Sequence, residues 1–280
     1  MTPRVKGFRI VLEVEASQPI IEFTGRLTKA FVFALNPELR LFKGIEGVLT
    51  PIHISPLFKV SGDHELGEPA YPYVVKSKKK EIEINPISLS GEYVFHVGGE
   101  ENLVSSVIYK MMRVSGPLFL KIHDAIVKYK VEKVVDITEE VFEKATSITS
   151  RVRVILKSPA QIFNVFTSTK LPKFTPSAIE LLLVPYAILN NSYTVTENLV
   201  TSSFNTLGKL VETWYSVRTL KPIEIVFKEK KQTNLVGSVT YIVQEENKEK
   251  LETIQRTLAI TELAGIGRSR QNGFGTSVIK

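Results

Sequence analysis

The 280-residue sequence predicts an α+β fold in which one plan, strand, helix, strand, strand, helix, strand with antiparallel sheets, is used twice. Three observations predict it. Alternating apolar residues open the first half at Phe8, Ile10, Leu12 and Val14, and a second strand of alternating character opens at Arg151. Apolar residues at helical spacing follow each opening strand and return near the end of each half. Between the halves, residues 136 to 148 make a charged connection containing Asp136, Glu139, Glu140 and Glu143. This is the plan of two tandem ferredoxin-like (RRM-like, βαββαβ) domains, placed at residues 1–140 and 149–280.

The strand near residues 5 to 15 leads to a helix opened by Ser17 and Pro19, with Ile20, Phe23, Leu27, Ala30, Phe31 and Ala34 as its buried face. A strand from Leu49 to Phe58 follows. The run Lys78, Lys79, Lys80 reads equally as a solvated hairpin tip or as a phosphate grip, and leads into alternating Ile82 and Ile84. Tyr93 to Phe95 form another strand, Glu100 to Arg113 the second helix, and Pro117 to about Val135 close the sheet. In the second half, residues 176 to 217 read as helical, interrupted at Pro185 and at Asn190, Asn191 and Ser192. Leu207, Leu210 and Val211 belong to that helical stretch, and Trp214 and Tyr215 beyond them read as core anchors. Strands near 222 to 229 and 235 to 244 are joined by a turn at Gln232, Thr233 and Asn234. Leu251, Ile254, Leu258 and Thr261 then mark a final helix ending at Ala264.

Thirty-six Lys plus Arg against 29 Asp plus Glu give a net charge of +7, which favours a polyanionic partner. With no cysteine, disulfides and thiolate metal sites are excluded, and four scattered histidines argue against structural zinc. A metal-independent protein without a cofactor is expected. The first residues pass straight into a strand rather than a signal peptide, so a cytoplasmic location is expected. The longest apolar run, Ile179 to Leu189, holds Glu180 and Pro185 and reaches about half of the roughly 20 residues that cross a bilayer.

After the final helix comes a double-glycine loop with two arginines: Gly265, Gly267, Arg268, Arg270, Gly273, Phe274 and Gly275. In phosphate-binding folds the glycines precede a helix and use its positive end. Here they leave the carbonyl end, which repels anions, so the arginines must supply the attraction while the glycines bend the backbone into an anion nest. These residues fall on the C-terminal signature of the CRISPR-associated endoribonucleases that cut repeat RNA into guide RNAs, the sixth Cas family within the RAMP superfamily, and the chain resembles its archaeal type. Weaker likeness covers Pro51 to Leu57, Val154 to Pro159 and Val236 to Val239.

The resemblance implies metal-free cutting of CRISPR repeat RNA (pre-crRNA) by attack of a ribose 2′-hydroxyl on the adjacent phosphate, leaving a 2′,3′-cyclic phosphate and a 5′-hydroxyl. It places catalysis on or just after the first helix. There Glu22, Arg26, Lys29 and Phe33 form a polar stripe opposite the core, which by residue type alone is a solvated face. The histidine that many members carry between the first helix and second strand is missing from Asn36 to Pro51, where Arg40 and Lys43 stand instead. Arg26, Lys29, Lys43 and His53 are therefore the catalytic candidates. His53 alternates with apolar residues and reads either as a satisfied strand histidine or as a group facing RNA. His64 and His96 read as surface or turn residues, and His123 beside Asp124 makes no dyad, because strand neighbours point to opposite faces. RNA-binding is assigned to the seven loop residues and to Arg151 and Arg153, which share a strand face. Partners expected are repeat RNA and, in a rival reading, other subunits of a CRISPR effector in which the chain only holds guide RNA. A second rival, a general RNA binder with two recognition-motif domains, requires aromatic residues on its open sheet faces. No membrane partner is expected, and a monomer or homodimer is.

Overall fold

The computed structural model describes residues 5–42, 49–75, 83–122, 124–162, 177–213, 219–227 and 230–280. Its first sheet comprises β1 (Val5–Ala16), β2 (Ile52–Ile54), β3 (Phe58–Ser61), β4 (Glu65–Pro69), β7 (Ser90–Glu100), β8 (Leu118–Ile122) and β9 (Ala125–Asp136). β5 (Tyr73–Val75) and β6 (Glu83–Asn85) pair separately. The second sheet comprises β10 (Arg151–Ala160), β11 (Leu210–Glu212), β12 (Leu220–Phe227), β13 (Lys230–Val243) and β14 (Ser277–Ile279). When the four motif strands are numbered in chain order, both sheets run 2-3-1-4: β3-β7-β1-β9 in one and β12-β13-β10-β14 in the other, all antiparallel. This is the tandem ferredoxin-like arrangement expected from the sequence.

Each sheet covers one face with helices. α1 (Gly25–Leu35) and α2 (Glu101–Met112) pack on the first around Ile10, Leu12, Phe31, Phe95 and Val107. α4 (Ala178–Leu189), α5 (Glu197–Leu207) and α6 (Lys248–Ala264) pack on the second around Val152, Val154, Leu182, Tyr241 and Leu258. α2 begins as predicted, with the Glu100 carboxylate accepting the Leu103 N–H at 2.9 Å. Among the described residues, no helix is long and apolar enough to cross a membrane.

Several elements depart from the sequence expectation, each because tertiary contacts outweigh local pattern. α1 starts at Gly25, well after Ser17 and Pro19, because Ile20 bridges to Ile87 and Phe23 turns into the core. Phe33, not Ala34, is buried on that helix. The strand expected over Leu49 to Phe58 breaks at Ser55 and Pro56 into β2 and β3. The charged connection contains a helix, α3 (Thr138–Thr146), whose Val141 and Ala145 join the second core. α4 continues through Pro185, since nearly every residue of it is buried and packing outweighs one lost helix hydrogen bond. Leu210 and Val211 lie on β11 rather than a helix, and Gln232 to Asn234 lie inside β13, where Gln232 faces Ile225. The lysines 78–80, Ile82, His123, Trp214 and Tyr215 lie outside the described residues.

The two sheets are joined by the last turn of α6, which sits on the first sheet over a pair of glycines. Gly7 and Gly98 are cross-strand partners on β1 and β7, and a Cβ on Gly98 would lie 1.9 Å from the Leu263 carbonyl oxygen. No side chain fits there, and the obstacle is backbone. Gly98→Ala is therefore expected to lower stability by about 1–3 kcal/mol or more, seen as a lower urea midpoint at unchanged slope. An unchanged midpoint would show that this joint yields freely.

Candidate functional site

Beyond Ala264 the backbone takes positive φ at Gly265, Gly267, Ser269, Gly273 and Gly275. The loop uses this freedom to fold onto the protein itself. Ile266 N–H donates to Gly275 O, Arg268 N–H to Gln161 O, Gly273 N–H to Arg270 O and Gly275 N–H to Pro159 O. These amides are committed internally, so the open anion nest expected from the sequence is not formed by them. The loop also meets α1 closely: a Cβ on Gly273 would lie 2.6 Å from Gly25 Cα, and one on Gly25 would lie 2.1 Å from Asn272 O. Glycine stands at both positions because two backbones touch there.

Two residues assigned to RNA are placed in the interior. Arg270 is 3% exposed; its guanidinium donates to Ala264 O at 2.7 Å and to Thr50 O. It caps the carbonyl end of α6, satisfying the very charge it was expected to counter on behalf of an anion. Burial lowers its pKa to about 10, so it stays charged at neutral pH. Phe274 is fully buried between Phe23 and Phe227, at ring-centroid distances of 4.9 and 5.3 Å, where no base can stack on it.

The catalytic candidate His53 is also buried, and its environment fixes its tautomer. Nδ1 donates to Arg270 O at 3.1 Å, leaving Nε2 to accept from Thr276 Oγ1 at 3.1 Å. His96, expected at the surface, is buried as well, its ring 5.7 Å from that of His53, with Nε2 donating to Leu263 O at 2.5 Å. Burial lowers both pKa values, that of His96 to about 4; the His96 and Arg270 charges lower His53 further. Neither ring reaches the surface; His96 ties the first sheet to the end of α6, and His53 ties it to the glycine loop and to Thr276.

What remains accessible is cationic. Lys29 Nζ lies 2.8 Å from Asn272 Oδ1 and 5.0 Å from the centroid of the Phe33 ring. Arg26 is held by Glu22, Nη1 to Oε1, at 2.7 Å. The α1 stripe is thus half-buried against the glycine loop, not solvated, with Glu22 and Phe33 almost wholly covered. Lys43 lies outside the described residues, and Arg40 is exposed on a 3₁₀ turn (Pro37–Phe42). Arg268 is exposed beside Gln161, its pKa lowered by partial desolvation.

Arg151 and Arg153 project from the outer face of β10 opposite Ile242 and Thr240, with Arg153 Nε donating to Ser238 Oγ at 3.0 Å. Lys157, on the same face, reaches across to Leu66 O at 3.0 Å. It lines an open cleft of about 620 Å³ between the two sheets together with Lys59, Ser61, Tyr71, Ile223 and Val236. Asn272, Lys59 and Lys157 escaped the sequence reading. Asn272 could have been found, as the amide inside the loop signature; the two lysines carry no local signal, being paired only by tertiary structure. Among the described residues no three His, Asp or Glu side chains are grouped to hold a metal ion.

Comparison with solved structures identifies the fold as Cas6-like. A Thermus thermophilus Cas6 is 12% identical, over 99% of both chains, at a TM-score of 0.57. A Cas6 product complex is 12% identical, over 99% of both chains, at 0.62. A RAMP protein described as binding different RNA substrates is 12% identical, over 98% of this chain and 99% of that one, at 0.56. No protein-family model matches the sequence, and no curated protein matches it.

The buried histidine pair makes stability depend on acidity. Both rings are neutral in the fold, so their contribution is complete above the ordinary histidine pKa of 6.5 and is lost as pH falls toward about 4. For His96 alone the loss is about 3 kcal/mol across that window. The thermal midpoint is expected to fall steadily between those pH values, and a flat midpoint would contradict a buried neutral pair.

Proposed function

We propose that this chain is a metal-independent endoribonuclease that cuts CRISPR repeat RNA within precursor transcripts to give guide RNAs. The observation that carries the reading is Lys29, a first-helix cation fixed against the glycine loop within a fold shared end to end with Cas6 proteins. In the proposed reaction a ribose 2′-oxygen attacks the adjacent phosphorus and the bond from phosphorus to the 5′-oxygen breaks. A proton leaves the 2′-oxygen and one arrives at the 5′-oxygen, so a cyclic phosphate and a 5′-hydroxyl result without water or a co-reactant.

With His53 enclosed, the site offers cations rather than an imidazole. A lysine, with an ordinary pKa near 10.4, is charged at neutral pH and acts by stabilising the phosphorane and supplying the leaving oxygen's proton. Arg26 adds charge beside it, and Lys43 belongs to the same proposal. Arg268, Arg151, Arg153 and the lysines of the cleft carry the RNA, while the loop glycines serve by placing Arg268 and Asn272.

The lack of a histidine in the sequence between Asn36 and Pro51 favours a second reading, in which the chain holds guide RNA as a non-catalytic effector subunit. A general recognition-motif protein calls for a platform of stacking aromatics on its open sheet face. On the first sheet Phe119 is exposed there, but its cross-strand partner is Lys128, and ion pairs occupy the neighbouring positions, Lys128 with Glu15 at 3.5 Å and Lys130 with Glu13 at 3.9 Å.

End-labelled repeat RNA from the host's own array, incubated with the protein in EDTA, is expected to be cut once. The same RNA with one 2′-deoxy sugar just upstream of the cut is expected to stay whole. Binding without cutting at enzyme excess would select the effector-subunit reading. Lys29→Ala is expected to slow single-turnover cutting by about 100-fold while binding changes little; full activity would reject that residue's role. Arg268→Ala is expected to weaken RNA binding and reduce the slope of log affinity against log salt by about one, and an unchanged slope would remove Arg268 from the interface.

A further inference from the structure

We infer that Asn272 is a positioning residue, whose side-chain oxygen holds the Lys29 ammonium where the reacting phosphate must lie. The inference rests on the RNA-cutting reading above. A lysine amine rides on four rotatable bonds, and fixing such a side chain costs about 1.5–2 kcal/mol of rotamer freedom. In this chain the fixing precedes substrate. Asn272 Oδ1 accepts from Lys29 Nζ at 2.8 Å, and the Phe33 ring lies 5.0 Å from the same nitrogen. A carboxamide oxygen suits the task because it is neutral: it orients an ammonium and adds no opposing charge of its own. The neighbouring cation, Arg26, bonds the Glu22 carboxylate at 2.7 Å.

The acceptor's own position is set by the helix that carries the lysine. Gly25 and Lys29 stand four residues apart and share a face of α1. The Asn272 backbone carbonyl lies directly over Gly25, close enough that a Cβ there would come within 2.1 Å of it. The Asn272 carboxamide then reaches the next turn of the helix, at Lys29. Asn272 N–H donates to Ser269 O at 2.7 Å, and Ser269 holds a left-handed φ of 58° to make that turn. Arg270, two residues before Asn272, is anchored in the interior on Ala264 O. The loop signature, whose glycines and Arg270 are turned inward, thus presents the Asn272 carboxamide to Lys29.

The test is single-turnover cutting by Asn272→Ala, Asn272→Asp, Lys29→Ala and the Lys29→Ala/Asn272→Ala double variant. Binding is measured beside it on uncleavable 2′-deoxy RNA, together with thermal midpoints. Asn272→Ala is expected to cut about 10- to 100-fold more slowly, with its affinity and midpoint kept. Asn272→Asp, which keeps an acceptor oxygen but adds opposing charge, is expected to cut faster than Asn272→Ala though below wild type at neutral pH and to move the alkaline limb of the pH–rate profile upward, since a carboxylate raises the pKa of the lysine it faces. In the Lys29→Ala background, removing Asn272 is expected to have no further effect.

Wild-type rates in Asn272→Ala, an additive loss in the double variant, or losses that track the midpoints would overturn the inference and leave the endoribonuclease reading standing. A wild-type protein that binds repeat RNA and never cuts it would overturn both.

Discussion

The buried carbonyl end of α6 is the constraint around which the molecule is arranged. A helix leaves its last carbonyls without partners inside itself, and here that end enters the first sheet rather than water. Donors from three separate places meet it. Ser277 Oγ on β14 donates to Thr261 O, His96 on β7 to Leu263 O, and Arg270 of the loop to Ala264 O. A buried guanidinium is costly alone, but against the negative end of a helix it is both hydrogen-bonded and electrostatically matched. His53 extends the arrangement by holding the Arg270 backbone. The joint between the sheets is therefore polar at its centre, with the apolar group of Phe23, Tyr71, Phe227 and Phe274 beside it.

Much of the architecture was legible because it rests on local pattern. β1 shows period-two alternation, α2 has a carboxylate at its start, and the final helix keeps a clean apolar stripe, so each could be read from its own residues. The site was legible only in part. Arginine and glycine suit phosphate recognition, yet the same guanidinium fork suits a pair of backbone carbonyls, and the same glycines suit backbone contact. Choosing between these uses requires knowing that Thr50 and Gly25 lie against a loop more than two hundred residues further along the chain. His53 posed the same difficulty: its strand was evident, but its partners Arg270 and Thr276 are distant in sequence. The displaced start of α1 has this origin too, since Phe23 and Thr24 are committed to contacts with Phe274 and Ala70.

The excess of basic residues is not spread evenly over the two sheets. On the open face of the first, lysines of β9 stand opposite acids of β1 and are largely neutralised. On β10 the outward Arg151 and Arg153 meet Ile242 and Thr240 across the strand, neither of them acidic, and Lys157 follows further along the strand. The modest net charge of +7 is thus a poor guide to the local field, which is stronger over the second sheet and its cleft than the total suggests.

The contact between Lys29 and Asn272 spans 243 residues of sequence. During synthesis the first helix emerges long before the segment that completes it, and Lys29 stands without Asn272 while the second sheet is still being made. Closing a loop of such length carries an entropic cost that local contacts do not. The arrangement makes the α1 surface a reporter of completed folding: it reaches its final form only when the carbonyl end of α6 has found its donors, so a half-made or half-folded chain carries the charges but not the geometry.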